Sequence, residues 1–258
     1  MGSLSSSYYF ALTTGYAVAI AGWLLMNSRF QWIWKSDTDY QFEHPWKETL
    51  YAILAALATV GLGQLYSQGF FRGWKSLPLS GVLDQILIFL PFPLLLVLRK
   101  QPLSTAWLSA QALLPRLAVG FVLALLALAL FVAVRNPDKS LLTISASVCH
   151  LSNLGYASQT FLQDVSVAIL FVRLRSALGS KKFLIAVVAV AFAFSATHYP
   201  LKLKEGLSIF TSTRDILLDG ILVSTVIYVL QRSKDILWFW PVHFTMDMMQ
   251  LYAGDPKL

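Results

Sequence analysis

Charge is what this sequence lacks most. Only 13% of its 258 residues are Asp, Glu, Lys or Arg, about half the roughly 25% of an ordinary soluble domain. That scarcity excludes a water-soluble domain with a normal polar surface. Cysteine is nearly absent: Cys149 stands alone, so no intramolecular disulfide can form. The N-terminus has neither a basic stretch nor a small-residue cleavage site, so no removable signal peptide is expected. The net charge is +7, but the Lys and Arg are scattered among connectors. That pattern suits anionic headgroups and excludes a nucleic-acid patch. Internal repeats, low-complexity linkers and a second compositional domain are all missing.

Apolar residues fill the space. They make up 57% of the chain, and the mean hydropathy is +0.63. A helix that crosses a bilayer needs about 20 mostly apolar residues. Eight segments approach this: Tyr9–Met26, Leu50–Tyr66, Val82–Leu98, Leu117–Val134, Ala157–Val172, Phe183–Thr197, Ile216–Leu230 and Ile236–Tyr252. The fourth, "LAVGFVLALLALALFVAV", is the clearest, and the fifth is unusually polar. The loop "NSRFQWIWKSDTDYQFEHPWKE" is rich in tryptophan, as membrane interfaces are. The expectation is one integral membrane domain over residues 1–258, an all-α polytopic bundle of about eight transmembrane helices. Lys and Arg are weakly biased towards the loops after the first, third, fifth and seventh segments, which puts the first loop in the cytoplasm. "MGSLSS" fits the loose N-myristoylation pattern at Gly2, a match of low specificity.

Ionisable groups inside a span are costly, by at least about 2.5 kcal/mol for an unpaired charge at the centre. They face the bundle interior and pair. This chain carries several such groups: Asp84, Asp164, His198, Asp215, Asp219, His243 and Asp247, with Gln163 beside them. His243 and Asp247 are four apart and share a helix face, as do Phe194 and His198. Three readings follow. Two His and carboxylates are the donor set of a zinc or iron site. A carboxylate and a His can activate water while a second His stabilises an oxyanion. A satisfied polar core can also tie helices together with hydrogen bonds of about 0.6–2 kcal/mol each. No metal and no cofactor is expected, because the ligands would come from separate helices without a visible second shell. Asp215 and Asp219 are read as serving the N-terminus of the seventh helix and its dipole.

The order and spacing of these residues resemble the CPBP family, the CAAX prenyl proteases and bacteriocin-processing proteins, which are glutamic-type intramembrane proteases. That family carries three motifs, EExxxR, FxxxH and HxxxN or HxxxD. Phe194 to His198 matches the second and His243 to Asp247 the third. The flank "SKDILWFWPVHFTMD" is similar to the family's run before its third motif, with Trp238 and Pro241 in place. The likeness covers about residues 155–250. The first motif departs. Where the family has "EExxFRGxLFxRLRxxLG", this chain has "QDVSVAILFVRLRSALG". Leu170 to Gly179 align, but Gln163 stands at the first glutamate, Asp164 at the second and Ala168 at the arginine. "SQGFFRG", Ser67 to Gly73, mimics part of that motif too far upstream and is read as a loop.

The resemblance implies a site made of Asp164, His198, His243 and Asp247. Asp164 and His198 would activate water, and His243 and Asp247 would stabilise the oxyanion. Gln163 has no basic carboxylate and cannot take the first glutamate's role. The favoured expectation is therefore a non-proteolytic descendant that binds a membrane-protein partner or a hydrophobic peptide, as an assembly factor or complex subunit. The alternative is an active CAAX-like endopeptidase. The bilayer is the expected surrounding in either case.

Overall fold

The computed structural model describes residues 6–34, 40–70, 79–204 and 206–252. Gly2 and the end of the "SQGFFRG" stretch lie outside them. The described residues form eleven α-helices, α1 (Ser6–Arg29), α2 (Pro45–Ser67), α3 (Ser80–Phe89), α4 (Pro91–Leu98), α5 (Leu113–Arg135), α6 (Leu141–Val148), α7 (Leu154–Leu178), α8 (Phe183–Ala196), α9 (Tyr199–Lys204), α10 (Ile209–Ser233) and α11 (Phe239–Tyr252), with short 3-10 turns between some of them. No strand occurs among the described residues.

Three helices, α1, α2 and α5, are long and apolar enough to cross a membrane. The third expected span is not one straight helix. It breaks into α3 and α4, bent by 54°. The cause is Pro91, which lacks an N–H and whose ring clashes with the carbonyl one turn back. Counted as one broken span, the pair brings the number to four.

Helix α7 is the hub. It packs on α2, α3, α8 and α11, while α5 sits between α1 and α11 and α10 lies along α8. A partly buried polar lattice ties α7 to α2. Glu48 of α2 accepts hydrogen bonds from Arg99 Nε and Nη2 at 3.0 and 2.7 Å and from Gln101 Nε2 at 2.7 Å. Gln101 in turn accepts from the fully buried Arg173 of α7, whose other amino group donates to Ile169 O at 3.0 Å. A charged group held away from water needs such partners.

A second lock joins segments far apart in sequence. Arg116, in the first turn of α5, donates to Ile33 O at 2.9 Å and lies 3.5 Å from Asp235, between α10 and α11. Both side chains are buried. Burial pushes the Asp235 carboxyl up to about 6 against the opposing pull of Arg116. Above this lock, Trp238 stacks on Trp23 with ring centroids 5.4 Å apart, and Trp34 turns inward to meet Trp23 edge-on. Of the tryptophans in the first loop, Trp32 and Trp46 are exposed and Trp34 is buried. Helix α11 starts immediately after this cluster, so its direction is set by it.

Candidate functional site

Three segments bring polar groups to one place because of where their helices start. Helix α7 runs unbroken by Pro or Gly from Tyr156 to Leu178. Gln163 and Asp164 lie near its middle, about 100° apart around the axis. Helix α8 ends at Ala196, and His198 lies two residues further, beside α9. Helix α11 carries Pro241 in its first turn, where a missing N–H costs nothing. Its second turn presents His243, and Asp247 follows one turn later. Trp240 ties α11 to α7, donating from Nε1 to Ala157 O at 2.8 Å.

His243 sits between two carboxylates. Its Nδ1 lies 2.8 Å from Asp164 Oδ1, and its Nε2 lies 3.5 Å from Asp247 Oδ1. Asp164 is buried behind the ring, whereas Asp247 is substantially exposed. The ring is held from the side by Phe239, one turn earlier, at 5.6 Å between centroids. Phe239 itself stacks on Tyr16 of α1. His198 is edge-on to Phe194 at 5.2 Å, and its Nδ1 is 3.4 Å from Thr197 Oγ1.

A cavity of about 150 Å3 opens at this point. Gln163, His198, His243 and Asp247 line it, with Phe194 and Ser195 of α8. Asp164 does not line it. That carboxylate turns to His243 instead, and its Oδ2 has no hydrogen-bond partner among the described residues. Ala168, at the expected arginine position, is fully buried against its neighbours. Among the described residues, no three His, Cys, Asp or Glu side chains are grouped to hold a metal ion.

Two walls of the cavity were not legible as such. Tyr8, Leu12 and Tyr16 of α1 form one, and Lys202 of α9 with Asp219 of α10 forms part of the other. The spacing of four between Tyr8, Leu12 and Tyr16 is a sequence signal for one helix face, but it does not say what the face meets. The reading of Asp215 and Asp219 as N-terminal groups is corrected. Helix α10 begins at Ile209, and Ser208 caps it by accepting from the Thr211 N–H at 3.1 Å. Asp215 and Asp219 therefore lie in the helix interior. They flank Lys202 Nζ at 3.7 and 3.6 Å, and Arg214 also reaches Asp215 at 2.8 Å. Asp84 is buried apart from this site, accepting a hydrogen bond from Tyr66. His150 bonds locally to Ser152 and takes no part.

Chemically, the arrangement holds an imidazole firmly between two acids and offers an amide, a hydroxyl and a second imidazole to the cavity. No family model, curated protein or solved structure matches the chain.

Proposed function

We propose that this chain is a CPBP-like multi-pass membrane protein that has lost proteolysis, a pseudoenzyme that uses its cavity to bind and not to cut. In this reading the bent pair α3–α4 counts once, and α7, α8, α10 and α11 cross the membrane beside α1, α2 and α5, giving about eight spans. The partner is a membrane protein or a hydrophobic segment, and the chain serves as a subunit or assembly factor.

One observation carries the proposal. Gln163 faces the cavity where the family's water-activating glutamate would stand, and Asp164 is turned away from the cavity to His243. An amide cannot accept the proton of an attacking water at any working pH. The buried Ala168 leaves no arginine to orient an acid. The remaining polar groups persist as structure, because stripping half of a buried network is costly. The carboxylate kept at Asp164 and the cavity position of His198 favour the alternative, an endopeptidase in which Asp164 and His198 activate water while His243 and Asp247 stabilise the oxyanion.

Cleavage in proteoliposomes separates the two. The wild type, incubated with a prenylated CAAX peptide and a transmembrane reporter beside an active CPBP protease, is expected to release no product. Turnover that disappears in Asp164→Ala or His198→Ala would replace the binding reading with the enzymatic one.

A further inference from the structure

The cavity is short of positive charge and rich in unspent acceptors. Around it, Arg214 pairs with Asp215, Lys202 lies against Asp219, and His243 holds Asp164. Among the described residues Asp247 is left with the longer contact to His243 Nε2, at 3.5 Å, and it lines the cavity. Even with both nitrogens of His243 protonated, one ring cannot neutralise two acids. A neutral ring would leave a larger deficit. A carboxylate that faces a cavity with one long contact to a basic group draws a cation to it.

Two buried side chains point the same way independently of charge. Ser195 is only 2% exposed and lines the cavity, yet its hydroxyl has no hydrogen-bond partner among the described residues. A helical serine ordinarily bonds back to its own helix, as Ser166 and Ser224 do here. Gln163 is also buried at the cavity wall. Each carries an oxygen that can accept a hydrogen bond.

We propose that the cavity binds the primary ammonium head of a lipid, with Asp247 as counter-ion and Ser195 Oγ and Gln163 Oε1 as further acceptors. The inference rests on the reading that the cavity binds without cutting. Three N–H donors match one carboxylate and two neutral oxygens. An anionic head is repelled by Asp247 and finds Lys202 already held between Asp215 and Asp219. A quaternary ammonium brings charge but no donor. At about 150 Å3 the space suits a head group and not a whole lipid, since drug-sized pockets run to roughly 300–1,000 Å3. Leu12 of α1 and Leu222 of α10 give the cavity apolar lining for the start of the lipid chain, and beside Leu222, Leu218 and Ile221 are exposed.

Native mass spectrometry of the full chain in vesicle-derived nanodiscs tests this. With equal phosphatidylethanolamine and phosphatidylcholine, the wild type is expected to retain phosphatidylethanolamine in roughly tenfold or greater excess, the ratio one charge-assisted hydrogen bond sets. Asp247→Asn should abolish the preference. Ser195→Ala removes one unpartnered oxygen from the last turn of α8, should fold, and should weaken the preference several-fold. Dodecylamine should compete and dodecanol should not. Competition by dodecylamine without selective retention of phosphatidylethanolamine supports the ammonium site and assigns it to simple long-chain amines. Equal retention of both phospholipids together with no competition by dodecylamine overturns the proposal, as does a preference unchanged by both substitutions. Reporter cleavage in the same preparation would instead overturn the non-proteolytic reading, so the two failures are distinguishable.

Discussion

Gly120→Ala should destabilise the protein although it improves the local helix propensity of α5. A Cβ at Gly120 would lie 2.7 Å from Trp238 O, 2.9 Å from Trp238 Cα and 3.1 Å from Leu237 O. Ordinary contact begins near 3.4 Å, so the backbone before α11 must retreat. All three atoms are main chain, and no rotamer change can absorb the overlap. Overpacking of this kind costs about 1–3 kcal/mol. The gain from replacing glycine in a helix is about 1 kcal/mol, which leaves a net loss of up to about 2 kcal/mol. For a chain of this size that lowers the melting temperature by up to roughly 8 °C. Gly61→Ala is the matched control, because nothing lies within 4 Å of its added Cβ. It should be neutral or raise the melting temperature slightly. Intrinsic tryptophan fluorescence during thermal unfolding in detergent reads both variants. Trp238 begins the turn into α11, so the Gly120→Ala shift should also loosen the 2.8 Å contact of His243 with Asp164. A melting temperature for Gly120→Ala equal to or above that of Gly61→Ala would refute the packing argument.

Two further outcomes follow from the same geometry. The Asp235 carboxyl titrates near 6 in the folded chain against 3.8 unfolded, so the folded state binds that proton more tightly. Its contribution to stability is fully present below about pH 4 and is lost as pH rises through about 6. Thermal melts between pH 4 and 7 should show this slope in the wild type and lose it in Asp235→Asn. Restoring the first motif by Gln163→Glu with Ala168→Arg should yield an unstable protein and no protease, because Ala168 is fully buried and an arginine there has no space. Thermal melts and the reporter assay on the double variant check it, and stable, active protein would contradict it.

The helical class and the two histidine pairs were readable because both follow from spacing. His243 with Asp247, and Phe194 with His198, need only one turn of helix to share a face. The break in the third segment was written in "LPFP", but hydropathy averages over it. The α1 wall was not readable, since a stripe of Tyr8, Leu12 and Tyr16 carries no address. Arg116 and Asp235 are far apart in sequence, and only the packing of α5 against α11 brings them together. Asp215 and Asp219 were misplaced because the apolar run starts later than the helix does. Ser208 sets the start of α10, and the polar residues up to Arg214 obscure it. The turning of Asp164 from cavity to histidine depends on the register of α7 against α11, which no local pattern encodes.

The central claim is that polar residues from α7, α8 and α11 face one water-accessible cavity inside a bundle whose outer surface is apolar. Cysteine accessibility in proteoliposomes tests it most directly, in a Cys149→Ser background that removes the natural thiol. Single cysteines at His198, at Asp247 and at the outward-facing Ile221 would be exposed to a water-soluble thiosulfonate reagent. Positions 198 and 247 are expected to react, and position 221 to stay inert in lipid but react once the protein is unfolded. Inert cysteines at 198 and 247 together with a reactive one at 221 would contradict the account.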